Sequence, residues 1–284
     1  MIRVENIIKK IENLPPFPEV YRKAIQLLQD PEISVDKLIE VIQYDQAITA
    51  NVLRMCNSAY YRLSKRKIHS LREGLVLLGN NQLKEIISRS TMVQFYQKEN
   101  KGYDLGRGEL WKSAISSSLI SQIICKLIGK SEDAAIFTTT LLHDIGKVVL
   151  NDFVWEENQR IFQLVQDKGY AFEEAEKKIL GMDHAEVGAK IAELWHFPED
   201  MIAAIRLHHS PEKAPEGDTI TPIVYLSDVT TLTMGIGVGS DGLCYRAKEG
   251  IMKRFALTPR DLEKIMINFY EAYHSVQNIL NLDE

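Results

Sequence analysis

Apolar residues return at three- and four-residue steps through almost the whole of this 284-residue chain. That period commits it to helices packed by one face, with no stretch of strand-like alternation. Between residues 20 and 30 the stripe is Val20, Ala24, Leu27 and Leu28. Similar stripes predict helices over 35–43, 47–55, 71–78, 83–93, 110–128, 134–150, 161–167, 171–179, 185–195, 200–208 and 259–280. The punctuation agrees, since Pro15, Pro16, Pro18, Pro31, Pro198, Pro211, Pro215, Pro222 and Pro259 fall between these segments or near their starts. Asp183 with Glu186 has the spacing of a capping box, which starts a helix with His184 in its first turn. The fold class expected is therefore all-α.

Composition narrows the class further. With 34 Lys+Arg against 39 Asp+Glu the formal net charge is −5, so no charge excess draws the chain to nucleic acid or an anionic membrane. At 45% hydrophobic residues it can build a large core, and no apolar run approaches the ~18–20 residues that span a bilayer. The charged opening Met1-Ile2-Arg3-Val4-Glu5 is unlike a secretory segment, and the expected location is cytoplasmic. Cys56, Cys125 and Cys244 are too scattered for a zinc clamp or a disulfide framework and read as reduced thiols. Gly235-Ile236-Gly237-Val238-Gly239 lacks the spacing of a nucleotide loop and reads as a flexible connection, and Lys65-Arg66-Lys67 as solvated surface.

Chemistry concentrates between residues 143 and 209, where five of the seven histidines lie. His143-Asp144 interrupts the apolar run Leu141-Leu142-His143-Asp144-Ile145-Gly146-Lys147. An imidazole and a carboxylate buried together need a partner, and a cation such as iron, zinc or manganese accepts both ligand types. On one continuous helix the two side chains point ~100° apart, so they can flank one metal or divide between two with Asp144 bridging. Lys147 lies on the same side, placed to hold a phosphate or to pair with Asp144. His184, the pair His208-His209 and Asp228 offer further inward-pointing ligands from separate helices. Singly, His184 and His208 read as capping or core histidines, His209 as solvated and Asp228 as the partner of a base; together they read as a metal site.

At these residues the chain resembles the HD superfamily of metal-dependent phosphohydrolases, and within it the HDOD domain. The resemblance runs from Leu14-Pro15-Pro16-Phe17-Pro18 through Asp45-Gln46-Ala47-Ile48-Thr49-Ala50-Asn51-Val52-Leu53-Arg54 to Asn57-Ser58-Ala59-Tyr60-Tyr61, then Ile68-His69-Ser70-Leu71 and Leu77-Leu78-Gly79. It implies an HDOD unit over residues 14–228, made of an amino-terminal helical half (14–100) and an HD-like half (101–228), followed by a helical extension (229–284). It also implies the metal set His143, Asp144, His184, His208, His209 and Asp228. The family's opening histidine is replaced by Ser113, so one ion, held by Asp144, His184, His208 and His209, is expected rather than two. The related HD-GYP phosphodiesterases carry a GYP loop after the histidine pair, whereas this chain reads His208-His209-Ser210-Pro211-Glu212-Lys213, so cyclic di-GMP hydrolysis is not expected.

The resemblance implies a bacterial-type signalling module that binds a regulatory protein partner or a small phosphate-containing ligand. One alternative is a phosphohydrolase acting on a nucleotide or other phosphate ester, in which Asp144 and Lys147 are catalytic; another is a metal-free interaction module in which Lys147 neutralises Asp144. The last helix, with Leu262, Ile265, Ile267, Phe269, Ala272 and Val276, is expected to dock on the domain, or else to form a homodimer contact.

Overall fold

The computed structural model describes residues 18–30, 33–58, 66–89, 101–106, 108–239 and 249–280, and among these there is no strand. Helices α1 (Pro18–Leu27), α2 (Val35–Ile42), α3 (Gln46–Asn57) and α4 (Leu71–Arg89) form the amino-terminal part, with a kink at Gly79 in α4. After a 3-10 turn at Lys101–Tyr103 come α5 (Glu109–Leu127), α6 (Ala134–Leu142), α7 (Ile145–Glu156), α8 (Asn158–Lys168) and α9 (Phe172–Leu180). Then follow α10 (His184–Leu194), α11 (Glu199–Leu207), α12 (Ile220–Thr233), α13 (Glu249–Arg254) and α14 (Pro259–Leu280). Val93 and Cys244 lie outside the described residues.

Side-chain caps start several of these helices where the sequence places an acceptor. Asp45 Oδ1 accepts the Ile48 amide at 2.6 Å ahead of α3, and Asp133 accepts the amides of Ala135 and Ile136 ahead of α6. Asp183 and Glu186 close the expected capping box at α10. Each such cap satisfies amides that have no partner inside the helix.

Three apolar clusters join the helices. Val20, Leu38, Ile42, Ile48, Leu75 and Leu83 fill the amino-terminal part, where Trp111, Ile115 and Leu141 of the later helices also enter. Two hydrogen bonds pin that contact: Gln46 Nε2 donates to Leu141 O at 2.6 Å and Trp111 Nε1 to Tyr44 O at 2.9 Å. A second cluster, with Leu142, Ile145, Phe172, Phe197 and Met201, lies beneath the histidines, and a third packs α14 through Ile265 and Phe269 onto α5 and α12.

Three expectations need correction. The helix expected over 134–150 is two helices, broken at His143-Asp144. His143 Nδ1 donates to Thr140 O at 2.6 Å and so satisfies a carbonyl at the end of α6, while α7 departs in the direction set by its approach to α10. That approach is backbone on backbone: a Cβ built on Gly146 would meet His184 O at 1.9 Å. The glycine-rich segment is no loose connection either, since a Cβ on Gly237 would lie 2.5 Å from the Ser113 Cβ, and one on Gly239 2.0 Å from Tyr103 O. Finally, Ile267 is 64% exposed rather than docked; α14 buries Ile265, Phe269, Val276 and Leu280, and a residue two positions from Ile265 points to the far side of a helix.

Candidate metal centre

The break between α6 and α7 brings His143 and Asp144 to the point where α10, α11 and α12 converge. His184 is the first residue of α10, His208 and His209 follow α11 directly, and Asp228 lies within α12. His143 Nε2 lies 3.5 Å from Asp144 Oδ2 and 3.4 Å from Asp228 Oδ1. Asp144 Oδ1 lies 3.5 Å from His184 Nε2 and 3.6 Å from His208 Nε2, and His184 Nε2 lies 2.7 Å from His209 Nε2. All six residues expected as ligands are thus neighbours. His209 is no solvated bystander, because its ring packs on His208 and bonds His184. Ser113 is buried on α5 against Gly237.

The orientation of the imidazoles is set from behind. His143 Nδ1 and His208 Nδ1 face the carbonyls of Thr140 and Ile205 at 2.6 and 2.7 Å, and an acceptor there requires the ring nitrogen to carry its proton. His184 Nδ1 faces the Glu176 carboxylate at 2.6 Å. In each ring Nε2 is therefore the atom left to point into the cluster.

Whether a cation suits these residues is tested by the polar atoms left over. His143 Nε2, Asp144 Oδ1 and His208 Nε2 are buried and make no hydrogen bond, although leaving such atoms unsatisfied costs ~1–3 kcal/mol each. Two sets of ligand atoms lie within 4.8 Å of one another, His143 with Asp144 and His208, and His184 with His208 and His209. Nitrogen and carboxylate donors of this kind fit iron, zinc or manganese. The residues present fit a metal.

The electrostatics follow from burial and crowding. Burial alone would raise the Asp144 carboxyl, but Lys147, with Nζ 2.6 Å from Oδ2, and the imidazoles of His143, His184 and His208 hold it well below the usual range. Burial opposes protonation of His184, yet the Glu176 carboxylate outweighs it and lifts the imidazole to about 9. His143 is likewise raised against its burial by Asp144 and Asp228. His208 goes the other way, to about 3, because burial and then the His143 charge both disfavour its proton, and His209 is lowered by burial and His208.

Sequence reasoning missed Glu176 and Tyr103. Tyr103 Oη donates to Glu176 Oε1 at 2.6 Å, and the Lys147 ammonium sits 5.8 Å from the centre of the tyrosine ring. A signal for Glu176 was present: it shares a helical face with Phe172, Ala175 and Leu180, a carboxylate where an apolar residue belongs. Nothing in the pattern around Tyr103 marks it.

The profile of the HDOD domain matches residues 14–211, which is most of the chain. The chain belongs to the HDOD family. A Treponema pallidum protein of uncharacterised function is 24% identical to this HDOD chain over 212 residues, which are 74% of the chain and 40% of the relative; the chain spans less than half of the curated relatives it matches. Among solved structures, a virulence factor of Campylobacter jejuni aligns with a TM-score of 0.68 at 21% identity, over 95% of this chain and 99% of that one. The MmoQ response regulator of Methylococcus capsulatus aligns with a TM-score of 0.67 at 20% identity, over 90% and 98%. These likenesses show the helical HDOD fold. Among the described residues no helix is long and apolar enough to cross a membrane.

Proposed function

We propose that this HDOD protein is a regulatory binding module built around one buried divalent metal ion, and that it acts by engaging a regulatory protein partner or a small phosphate-containing ligand. The observation that carries this reading is the convergence of His143 Nε2, Asp144 Oδ1 and His208 Nε2, all buried and all without a hydrogen-bond partner. One ion rather than two is favoured because both candidate ligand sets need His208 Nε2, a nitrogen with a single lone pair, while its Nδ1 is engaged by Ile205 O.

Ser113, standing where the resemblance places the family's opening histidine, supports a binding module over an enzyme, and the remaining cluster is largely buried. His143 and His208 are 0% exposed, His184 1%, Asp144 2% and Lys147 6%. His209, in the same cluster, is only half-buried. When bound, the ion supplies a fixed positive charge and Lewis acidity. With Lys147 on Asp144 Oδ2, Oδ1 would be the carboxylate oxygen that holds the ion, beside the Nε2 atoms of His143, His184 and His208. The candidate ligands come from the α6–α7 junction, α10, α11 and α12, so occupancy ties four parts of the fold together. The name of the Methylococcus neighbour, a response regulator, is in keeping with a signalling role.

The phosphohydrolase alternative keeps one observation in its favour, a buried ammonium at Lys147 within the same cluster. Elemental analysis of protein purified without chelator or a histidine tag tests both readings. About one iron, zinc or manganese per chain is expected, lost in Asp144→Asn and His208→Ala variants that keep their helical circular dichroism. A metal-free, fully folded wild type whose stability ignores chelator overturns the metal reading. Turnover of a phosphate ester by the loaded protein, abolished by Asp144→Asn, would replace the binding module with the enzyme.

A further inference from the structure

We propose that Glu176 is a positioning residue of the metal centre, holding His184 so that its Nε2 is presented to the ion, and that Tyr103 holds Glu176. The inference rests on the metal reading above and names residues outside the ligand set.

Glu176 lies on α9 and is 0% exposed. Its Oε2 takes both the backbone amide of His184 at 3.1 Å and the ring Nδ1 at 2.6 Å. Two bonds from one oxygen to the amide and the ring of the same residue fix the side chain relative to its own backbone. They also place the proton on Nδ1, which leaves Nε2 facing Asp144 Oδ1 and His209 Nε2. Oε1 is taken by Tyr103 Oη at 2.6 Å, and the Tyr103 ring meets that of His184 edge-on with centroids 6.2 Å apart. Tyr103 is itself fully buried. A carboxylate with no solvent and three donors aimed at it has little freedom to turn. It adds no ligand atom of its own; the ligand sets contain only the histidines and Asp144.

A role in fold stability alone makes a different prediction. If Glu176 merely satisfies buried donors, changing it lowers stability and leaves a folded protein's metal affinity untouched. If it positions His184, affinity falls even where folding is preserved.

The test uses the full chain, freed of metal and titrated with Co²⁺ against a chromophoric chelator, with the visible spectrum of the bound Co²⁺ read in parallel. Glu176→Gln keeps the size of the side chain and removes its charge; Tyr103→Phe removes the hydroxyl that bonds Oε1. For Glu176→Gln a ~10–100-fold weaker Co²⁺ affinity with a changed d–d spectrum is expected, and for Tyr103→Phe a smaller loss. Circular dichroism identifies the folded samples to which the comparison applies. Wild-type affinity and spectrum in both folded variants overturn the positioning role while leaving the metal reading intact. No Co²⁺ binding to wild type overturns the metal reading itself, and this role with it.

Discussion

Replacing Gly146 by alanine adds one methyl group where α7 crosses α10. The new Cβ would lie 1.9 Å from His184 O and 2.8 Å from Gly188 N, and real Cβ atoms essentially never come within 3.0 Å of such neighbours. Both obstacles are backbone, so no side chain can swing aside, and the helices must part by about 1.1 Å (3.0 − 1.9). Overpacking of this kind costs ~1–3 kcal/mol, and with backbone on both sides the upper end applies. At ~2–4 °C per kcal/mol for a chain of this class, ~3 kcal/mol lowers the melting temperature by ~6–12 °C. The shift also moves His184, now 3.5 Å from Asp144, by far more than the ~0.2 Å latitude of metal–ligand distances, so metal content should fall with stability. Urea titration followed by circular dichroism measures the first effect and elemental analysis the second. Gly250→Ala is the control, because nothing lies within 4 Å of its Cβ in α13 and alanine there is expected to be neutral or mildly stabilising. Gly146→Ala within ~0.5 kcal/mol of wild type, with full metal content, refutes the close-approach argument.

Three further outcomes are expected. Asp144→Ala leaves Lys147 buried without the carboxylate 2.6 Å away, a loss of ~3–5 kcal/mol that Lys147→Met in the same chain should partly restore; equal urea midpoints for the single and double variants would contradict this. His69 bonds Asp200 at the start of α11, which raises the imidazole and lowers the carboxyl. With Glu73 and the Lys67 carbonyl as the other neighbours of His69, the pair stabilises above the lowered Asp200 value, fully below ~6.5, and less as pH rises through the raised His69 value. His69→Gln should therefore be more destabilising at about pH 5.5 than at about pH 9, and a pH-independent difference would exclude the pair as its cause. Burial pushes the Cys56 thiol up to about 12 and Cys125 to about 11, so peptide mapping should find neither alkylated by iodoacetamide at neutral pH until the chain unfolds.

Most of the helices were legible because each buries one face, and a face is written locally as a repeat of three and four residues. The capping box at Asp183 was legible for the same reason, since its partners stand three residues apart. The break at His143-Asp144 was not, because its cause is the approach of α7 to α10, distant in sequence, and apolar residues at helical spacing continue on either side of the polar pair. The glycine-rich segment was misread as loose for a similar reason: glycine allows freedom and close packing alike, and only Ser113 and Tyr103 on its other side decide which.

At the candidate site the sequence alone determined the chemical inventory: imidazoles and carboxylates at positions that helical periodicity turns inward, in a chain resembling the HDOD domain. Tertiary structure decided which atoms meet. It placed His143 Nε2, Asp144 Oδ1 and His208 Nε2 together without partners, and Lys147 on the other Asp144 oxygen. It also brought in Glu176 and Tyr103, which no motif announces. The reason is range. Helical periodicity and capping act over three or four residues and can be read from the chain in order, whereas the orientation of a buried ring depends on whatever distant acceptor folding brings behind it.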